Sequence, residues 1–291
     1  MALHQRSGKL VTKNEIAVVI PTYNRYEITR VMLDLLAAQT NQNFITIIVD
    51  SGSVDGTKDL AAENNCILLD VGNDVWWTGA IEYGVNYANS LEVEWILVLN
   101  DDIKFDVNFI ESMLQASKDN PDSINVPSQT DMSGNIFNGY TLSPFLKNRQ
   151  PMEVGPYRKT GYSIDIGNGC ALMFASSLPQ SICLFDEKNC PHYGGDVYLF
   201  LTAKKFGVEI KVHPSISILQ TSVTSPLSYL SFSTILKGKG SIFNFRTHVT
   251  LGLKMYGSVT AFLSMGMLNN FRYGKGVASA FFSLLSKNNK L

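Results

Sequence analysis

Two adjacent carboxylates, Asp101 and Asp102, follow the apolar run Trp95 to Leu99 and the amide of Asn100. Like charges beside an apolar core are unfavourable unless a cation compensates them. Carboxylate oxygens suit Mg²⁺ or Mn²⁺, which would also bridge a diphosphate, so we expect a metal or phosphate site; the alternative is an acidic helix cap. Side chains turned away from the cleft, or held only by lysines and arginines, would contradict this interpretation.

Polar residues also follow two earlier apolar runs. Ile16 to Ile20 leads into Pro21-Thr22-Tyr23-Asn24-Arg25, and Phe44 to Val49 leads into Asp50. At the exit of a buried strand, the Asp50 carboxylate can accept the N–H of a uracil or thymine ring. The segment from Ser51 to Thr57 is also rich in ordinary turn and capping residues.

The spacing of apolar residues predicts the elements that position these groups. Short apolar runs alternate with amphipathic helical patterns, and this order predicts an α/β fold with a mainly parallel central sheet and helices on both faces. The carboxyl ends of parallel strands share one edge, where open sheets bind ligands. The predicted strands are Ile16 to Ile20, Phe44 to Val49, Ile67 to Val71 and Trp95 to Leu99.

The pattern is less regular after residue 120. Two short strands flank Gly167-Asn168-Gly169, and a helix beginning at Asp196 precedes another strand. We place a domain boundary near residue 222, separating a body (1–222) from a helical C-terminal segment (223–291). The predicted elements are strands Ser163 to Ile166, Ala171 to Phe174 and Val208 to Val212, and helices Asp196 to Phe206, Phe243 to Tyr256 and Val259 to Leu268.

The net charge of −1 conceals two halves of opposite sign. All 25 acidic residues lie at or before Glu209, and nine of the 24 basic residues lie after it, so residues 1–210 carry −10 and 211–291 carry +9. A basic, aromatic-rich segment is typical of contact with an anionic membrane surface, and equally of a dimerisation or lid segment. The acidic body argues against nucleic-acid binding.

The cysteines and the first residues bear on location. Four cysteines without a C-x-x-C pair predict a reduced, cytoplasmic setting. Residues 1–15 contain no apolar run of signal-peptide length, and no span of about 18 apolar residues occurs. We therefore expect a cytoplasmic protein, with the inner face of the plasma membrane as the surface for any peripheral contact.

Four motifs together resemble family 2 glycosyltransferases of the GT-A fold, and most closely the bacterial rhamnosyltransferase-like enzymes of surface polysaccharides. The resemblance spans about residues 15–221 and rests on the order and spacing of the motifs. They are Pro21 to Arg25, Val49 to Thr57, Leu97 to Ile103 and Gly195-Asp196.

The resemblance implies a site for a UDP- or dTDP-sugar. In such enzymes the segment Pro21, Thr22, Tyr23 and Asn24, together with Asp50, would hold the nucleotide. Asn100, Asp101 and Asp102 would form a D-x-D-like site for ribose, Mn²⁺ or Mg²⁺ and diphosphate, with Asp101 and Asp102 as metal ligands. Gly79 would mark a helix start near the diphosphate. Trp77 is placed beside the donor, although Trp76 and Trp77 suit a core equally well.

Asp196 matches the proposed general base of the family. Inverting transfer needs a carboxylate that accepts the proton of the acceptor hydroxyl, and Phe185-Asp186-Glu187 upstream also fits the family pattern. Asp at a helix start is otherwise an ordinary N-cap.

Two positions depart from the family. Its Glu before the base is Gly195 here, and the His that completes the metal shell corresponds to Gln220, six residues after Pro214. His213 is a weak substitute because it precedes the proline. Whether Gln220 or His213 completes the shell stays open, as does the effect of Gly195 on catalysis.

The resemblance thus implies a metal-dependent inverting glycosyltransferase that acts on a glycan or lipid-linked acceptor of a surface polysaccharide. Two other functions stay open: a catalytically idle relative that binds partners in polysaccharide assembly, and a sugar nucleotidyltransferase. The second would need a Gly-rich, basic triphosphate loop after the first strand, which Pro21 to Arg25 is not. The donor sugar, the linkage and the oligomeric state, including a homodimer, do not follow from the sequence.

Overall fold

The predicted alternation of strands and helices is present in the computed structural model, which describes residues 15–143, 149–153, 161–221, 237, 239 and 244–257. The strands are β1 (Ile16–Thr22), β2 (Phe44–Asp50), β3 (Ile67–Asp70), β4 (Trp95–Leu99), β5 (Ile103–Lys104), β6 (Ser123–Thr130), β7 (Ile136–Phe137), β8 (Tyr140–Leu142), β9 (Arg149–Pro151), β10 (Tyr162–Ile164), β11 (Ala171–Ala175) and β12 (Glu209–Gln220). The helices are α1 (Tyr26–Ala37), α2 (Thr57–Glu63), α3 (Trp77–Asn89), α4 (Phe109–Lys118), α5 (Leu178–Ser181), α6 (Gly195–Lys205) and α7 (Phe245–Tyr256).

The main sheet has the strand order β10-β12-β6-β11-β4-β1-β2-β3. Strands β4, β1, β2 and β3 are parallel neighbours, as predicted, and β12 is parallel to β6. Strand β11 lies antiparallel between β4 and β6 and joins these two parallel groups. The predicted α/β class is confirmed. The analysis of the sequence missed α4 and β6, which pack and pair within the second half of the sheet.

The apolar runs form strands because both faces of the sheet are covered. Along β1, Ala17 and Val19 face a core shared with α3 and α6, whereas Val18 and Ile20 face a core shared with α1, α2 and α4. The five residues Ile16 to Ile20 are fully buried. Helices therefore cover both faces of the sheet, as predicted. The carboxyl ends of the strands form the edge that the helices do not cover.

Strand β1 continues through Pro21 to Thr22, two residues beyond the predicted end. The pairing of β1 with β4 stops at Val19, and only β2 accompanies β1 beyond that point. Proline lacks a backbone N–H and is tolerated where one side of a strand needs no donor. The longer strand carries Thr22 level with Asp50, its partner on β2.

Strand β12 extends eight residues beyond the predicted end at Val212. Its register with β6 shifts between His213 and Ser217, around Pro214, so the proline lies in an irregular stretch that does not end the strand. The chain then pairs with β5, and the N–H of Thr221 donates to the carbonyl of Asp102 at 2.9 Å. Strand β12 therefore brings Gln220 and Thr221 to the edge that carries the carboxylate pair.

Helix α7 packs against α6, the helix that carries Asp196. The Thr247 hydroxyl donates to the carbonyl of Asn189 at 2.8 Å, and the Lys254 ammonium lies 3.7 Å from the centre of the Tyr198 ring. A Cβ at Gly194 would lie 2.8 Å from Leu251, so only glycine allows this approach. The described part of the predicted C-terminal segment thus packs on the body; the predicted helix Val259 to Leu268 lies outside the described residues.

None of the helices among the described residues combines the length and apolar character needed to cross a membrane.

Gly84 offers a test of how tightly α3 packs on the sheet. A Cβ at this position would lie 2.3 Å from Val19 and 2.8 Å from Val49. We expect Gly84→Ala to lower the free energy of unfolding by about 1–2 kcal/mol, because overpacking outweighs the better helix propensity of alanine. Urea unfolding measures this, with Asn86→Ala on the exposed face of α3 as control. Equal or greater stability of Gly84→Ala would contradict the packing described.

Candidate active site

The predicted carboxylate pair lies at the carboxyl edge of the sheet and is bridged by one arginine. Arg25 Nη1 donates to Asp101 Oδ1 at 2.6 Å, and its Nη2 donates to Asp102 Oδ2 at 3.2 Å. The side chains of Asp101 and Asp102 are 1% and 11% exposed, whereas that of Arg25 is 34% exposed. The pair is therefore nearly buried, and the cation above it faces the cleft.

The Asp101 carboxylate also accepts hydrogen bonds from two threonine hydroxyls. Thr22 and Thr29 donate to its Oδ2 at 3.3 and 3.2 Å, and their own hydroxyl oxygens are 2.9 Å apart. Burial raises the pKa of Asp101 to about 6, and Asp102 adds to this, whereas Arg25 and the threonines act in the opposite direction. Oδ2 of Asp101 is thus engaged by hydroxyls of β1 and α1, and its Oδ1 by Arg25, which directly precedes α1.

This arrangement bears on the expected metal site. Arg25 is a cation that compensates the carboxylate pair, and a divalent ion bound there stays a prediction. The condition that would contradict a metal role is not met for Asp101, which is also held by the hydroxyls of Thr22 and Thr29. Among the described residues, no three His, Cys, Asp or Glu side chains form a ready-made metal site.

The loops after β1 and β2 are tied together and form one side of the cleft. The Asn24 N–H donates to Ser53 Oγ at 2.7 Å, and the Asn24 side chain accepts the N–H of Val54 at 2.9 Å. Asn24 has a φ of 50°, a conformation that asparagine tolerates better than most residues. Tyr23 beside it is 53% exposed. Two of the predicted nucleotide-binding residues therefore lie on a rigid rim.

Asp50 lies level with Thr22 and is fully buried. Its Oδ1 accepts the N–H groups of Gly52 and Ser53 at 3.0 and 2.7 Å. Its Oδ2 is buried and has no hydrogen-bond partner among the described residues. A buried oxygen that lacks a donor is costly, and it is an acceptor for a ligand N–H.

The start of α3 is connected to the carboxylate edge through Trp77. Its indole Nε1 donates to Asn100 Oδ1 at 2.8 Å. The N-terminal turn is already capped by the chain, because the N–H of Thr78 donates to the carbonyl of Pro191 and the Glu187 carboxylate lies against Gly79. The role of Gly79 beside a diphosphate stays a prediction.

Asp196 lies in the first turn of α6, close to the carboxylate pair. A Cβ at Gly169 would lie 2.6 Å from Asp196, so the glycine makes room for the carboxylate. The Cys170 thiol has its pKa raised to about 12 by burial and by the charges of Asp102 and Asp196, which places it near both. Burial also raises the pKa of Asp196, and its Oδ1 accepts the N–H of Val197 at 2.8 Å.

The departure at Gly195 has a packing cause. A Cβ at Gly195 would lie 2.0 Å from Thr78 Oγ1, whose hydroxyl donates to the carbonyl of Cys190 at 2.6 Å. Thr78 on α3 therefore occupies the space that a glutamate side chain at residue 195 would need.

His213 and Gln220, the two candidates for completing a metal shell, lie in different surroundings. His213 is buried, and its Nε2 lies 2.8 Å from Oδ1 of Asn125 on β6. Gln220 accepts a hydrogen bond from Gln129 Nε2 at 2.5 Å, next to Thr221 and Asp102. These contacts favour Gln220 as the residue near the carboxylate pair and a structural role for His213, and the choice between them as a metal ligand stays a prediction.

Arg25, Thr29, Glu187 and His192 were not among the predicted site residues. Arg25 closes the Pro21 to Arg25 motif, and this position was its only signal. The His192 ring lies 5.3 Å from that of Trp76, which is 38% exposed. Burial and the charge of Arg25 lower the pKa of His192 to about 4, so His192 is neutral at pH 7.

Comparison with known proteins identifies the class. The model of the family "Glycosyl transferase family 2" matches residues 17–180, which include the loops after β1, β2 and β4. The chain therefore belongs to glycosyl transferase family 2. It is 24% identical over 222 residues to an uncharacterized glycosyltransferase of Haemophilus influenzae, covering 75% of this chain and 69% of that protein.

The fold comparison agrees with this class. The crystal structure of GalNAc-T7 with UDP, GalNAc and Mn²⁺ matches with a TM-score of 0.57 at 12% sequence identity. The match covers 72% of this chain and 44% of that one, so the chain spans less than half the length of this neighbour. The likeness confirms the predicted GT-A fold.

The structural role of His213 predicts a pH dependence of stability. Burial lowers its pKa from 6.5 to about 4, Lys211 lowers it further, and Asp119 opposes the shift. The unfolded chain binds a proton that the folded chain excludes, so stability is lost as the pH falls from 6.5 toward 4. Between pH 7 and pH 5, we expect the free energy of unfolding of His213→Gln to fall by about 2 kcal/mol less than that of the wild type. Urea unfolding at the two pH values measures this difference. Identical losses would contradict a buried neutral imidazole.

Proposed function

We propose that the chain is an inverting glycosyltransferase that uses a divalent metal ion and a UDP- or dTDP-sugar. One observation carries the proposal: four carboxylates in different, buried or half-buried environments lie near one another. Asp50 is level with Thr22, whose hydroxyl reaches Asp101, and the Cys170 thiol is close to the charges of both Asp102 and Asp196. Different environments give carboxylates different roles, which glycosyl transfer requires.

The residues fit a metal ion that is bound together with a diphosphate. Mg²⁺ is typically held by one or two carboxylates with substrate phosphates and water. Asp102 fits this role better, because its side chain is the more exposed of the two, whereas both oxygens of Asp101 are engaged by Arg25, Thr22 and Thr29. We therefore assign the ligand role to Asp102 and a supporting role to Asp101. When bound, the ion would stabilise charge on the leaving diphosphate. The neighbour crystallised with UDP and Mn²⁺ supports this choice of ligands.

The remaining chemistry falls to the side chains. Asp50 Oδ2 would accept the imide N–H of uracil or thymine. Asp196 would take the proton of the acceptor hydroxyl, a role that its raised pKa favours because a stronger base forms. The indole of Trp77 holds Asn100 in place beside the donor.

The acceptor and the transferred sugar follow from the sequence resemblance. It favours a hexosyl donor, rhamnosyl among them, and a hydroxyl acceptor on a surface polysaccharide or a lipid-linked glycan. A lipid-linked acceptor would suit the basic C-terminal segment, whose residues beyond 257 lie outside the described part of the chain. Membrane contact and a homodimer are retained as proposals on that basis.

Asp196→Asn tests the base. The asparagine keeps the oxygen that accepts from Val197 but cannot accept a proton, so we expect turnover to fall about 10²–10⁴-fold while donor binding is unchanged. Product formation with a panel of UDP- and dTDP-sugars and Mn²⁺ measures turnover, and calorimetry measures donor binding. Asp122→Asn, on the exposed surface, is the matched control. Turnover of Asp196→Asn at the native rate would exclude Asp196 as the base.

Asp50→Asn tests the nucleotide site. Its Oδ1 can still accept from Gly52 and Ser53, but an amide NH₂ replaces the unpaired Oδ2 and would face the N–H of the base. We expect affinity for UDP and dTDP to fall about tenfold or more, since two donors would then meet without an acceptor. Asp70→Asn, an exposed carboxylate that also pairs with Lys58, is the control.

Titration with UDP and dTDP also distinguishes the proposed enzyme from a catalytically idle relative. Absence of metal-dependent binding of UDP and of dTDP to the wild type would favour a binding partner over an enzyme. Native affinity in Asp50→Asn would instead remove only the assignment of the base pocket.

A further inference from the structure

We infer that Arg25 is a built-in counter-cation of the metal site, which releases Asp102 and turns to the donor diphosphate when a divalent ion binds with the nucleotide. This inference rests on the proposed function and adds a positioning and binding role for a residue outside the predicted site.

The geometry places Arg25 where a metal ion would have to act. Its two terminal nitrogens reach Asp101 and Asp102 at 2.6 and 3.2 Å. A guanidinium and a divalent ion repel each other, and they cannot both lie against the same carboxylate oxygens at low cost. Binding of the ion at Asp102 therefore requires that Arg25 leave that carboxylate.

The two halves of the bridge differ in a way that selects Asp102 for exchange. Asp101 is nearly inaccessible and receives two threonine hydroxyls, so it keeps its position with or without the guanidinium. The contact of Arg25 with Asp102 is the longer of the two and lies at the more exposed carboxylate. Release of Asp102 by Arg25 requires a rotation of the Arg25 side chain.

Arg25 is anchored by its backbone and free at its tip. Its N–H donates to Thr57 Oγ1 at 3.3 Å, and the neighbouring Asn24 is tied to Ser53, so the loop stays in place when the side chain turns. One third of the side chain is exposed to the cleft. A guanidinium can donate two parallel hydrogen bonds to phosphate oxygens, so a diphosphate offers it a geometry equivalent to the one that it leaves.

The rest of the site makes this exchange necessary. The family's third ligand position is Gln220, which bonds to Gln129, and the described residues hold no preformed three-ligand site. An ion without nucleotide would have to displace Arg25 with few ligands in return. We therefore expect Mn²⁺ alone to bind weakly and to bind well only with a nucleotide diphosphate.

Calorimetry on the chain tests the role of Arg25, because the affinities for Mn²⁺ alone and for a nucleotide with Mn²⁺ should change in opposite directions. Arg25→Met removes the competing cation but keeps the aliphatic bulk, so we expect affinity for Mn²⁺ alone to rise about tenfold. The same variant loses the phosphate contact, so affinity for UDP and dTDP at saturating Mn²⁺ should fall about tenfold. Arg30→Met, on the exposed face of α1, the helix that follows Arg25, should change neither value. A residue that only supports the fold would lower both affinities together.

Arg25→Lys is a second variant for the case that Arg25→Met does not fold. Thermal unfolding shows whether each variant is folded. It keeps the charge but not the two-pronged donor, so we expect a smaller gain for Mn²⁺ and a smaller loss for the nucleotide. Affinities that change in the same direction, or that stay at wild-type values in both variants, would overturn the inference. If the wild type binds UDP or dTDP with Mn²⁺ and the Arg25 variants bind equally well, only the inference fails. If the wild type binds neither nucleotide with Mn²⁺, the proposed function fails as well.

Discussion

The ion pair between Arg25 and the two carboxylates at the end of β4 is the interaction on which the site depends. Asp101 and Asp102 leave a fully buried strand, and two negative charges there require a cation within the molecule. Breaking a buried pair of this kind costs several kcal/mol when nothing replaces the lost partner. The bridge thus keeps the ligand-free site stable, and it also sets the condition that a bound metal ion and diphosphate must meet.

The sheet brings this interaction together through irregularities at two prolines. Pro21 lets β1 continue beyond its pairing with β4, which carries Thr22 to Asp101 and level with Asp50. Around Pro214 the register of β12 shifts, and the strand then runs on until Thr221 meets the backbone of Asp102. Thr78 on α3, packed against Gly195, fixes the loop before Asp196. The elements of the edge are therefore held by packing and backbone bonds, which leaves Arg25 as the group able to move.

Much of this was predictable from the sequence, and the limits have physical causes. Long apolar runs and polar residues at their ends predicted β1 to β4 and placed Asp50, Asp101 and Asp102 at one edge, because a strand buried on both faces has a distinctive composition. The apolar runs predicted the ends of β1 at Ile20, directly before Pro21, and of β12 at Val212, shortly before Pro214; both strands continue past the proline, since tolerance of proline depends on which neighbouring strand is missing. The partner of the carboxylate pair could not be predicted, because Arg25 lies 76 residues away from Asp101 and the contact exists only in the folded chain. The role of His213 likewise depended on Asn125, a residue of another strand.

A crystal structure of the chain with Mn²⁺ and UDP or dTDP would test the central claim most directly. Anomalous scattering locates manganese independently of the protein atoms, and the electron density shows where the Arg25 side chain lies. The account predicts a manganese peak in coordination contact with Asp102 and the diphosphate, with Arg25 moved from Asp102 to a phosphate oxygen. A bound nucleotide with Arg25 still bridging Asp101 and Asp102, and no manganese peak beside them, would contradict it.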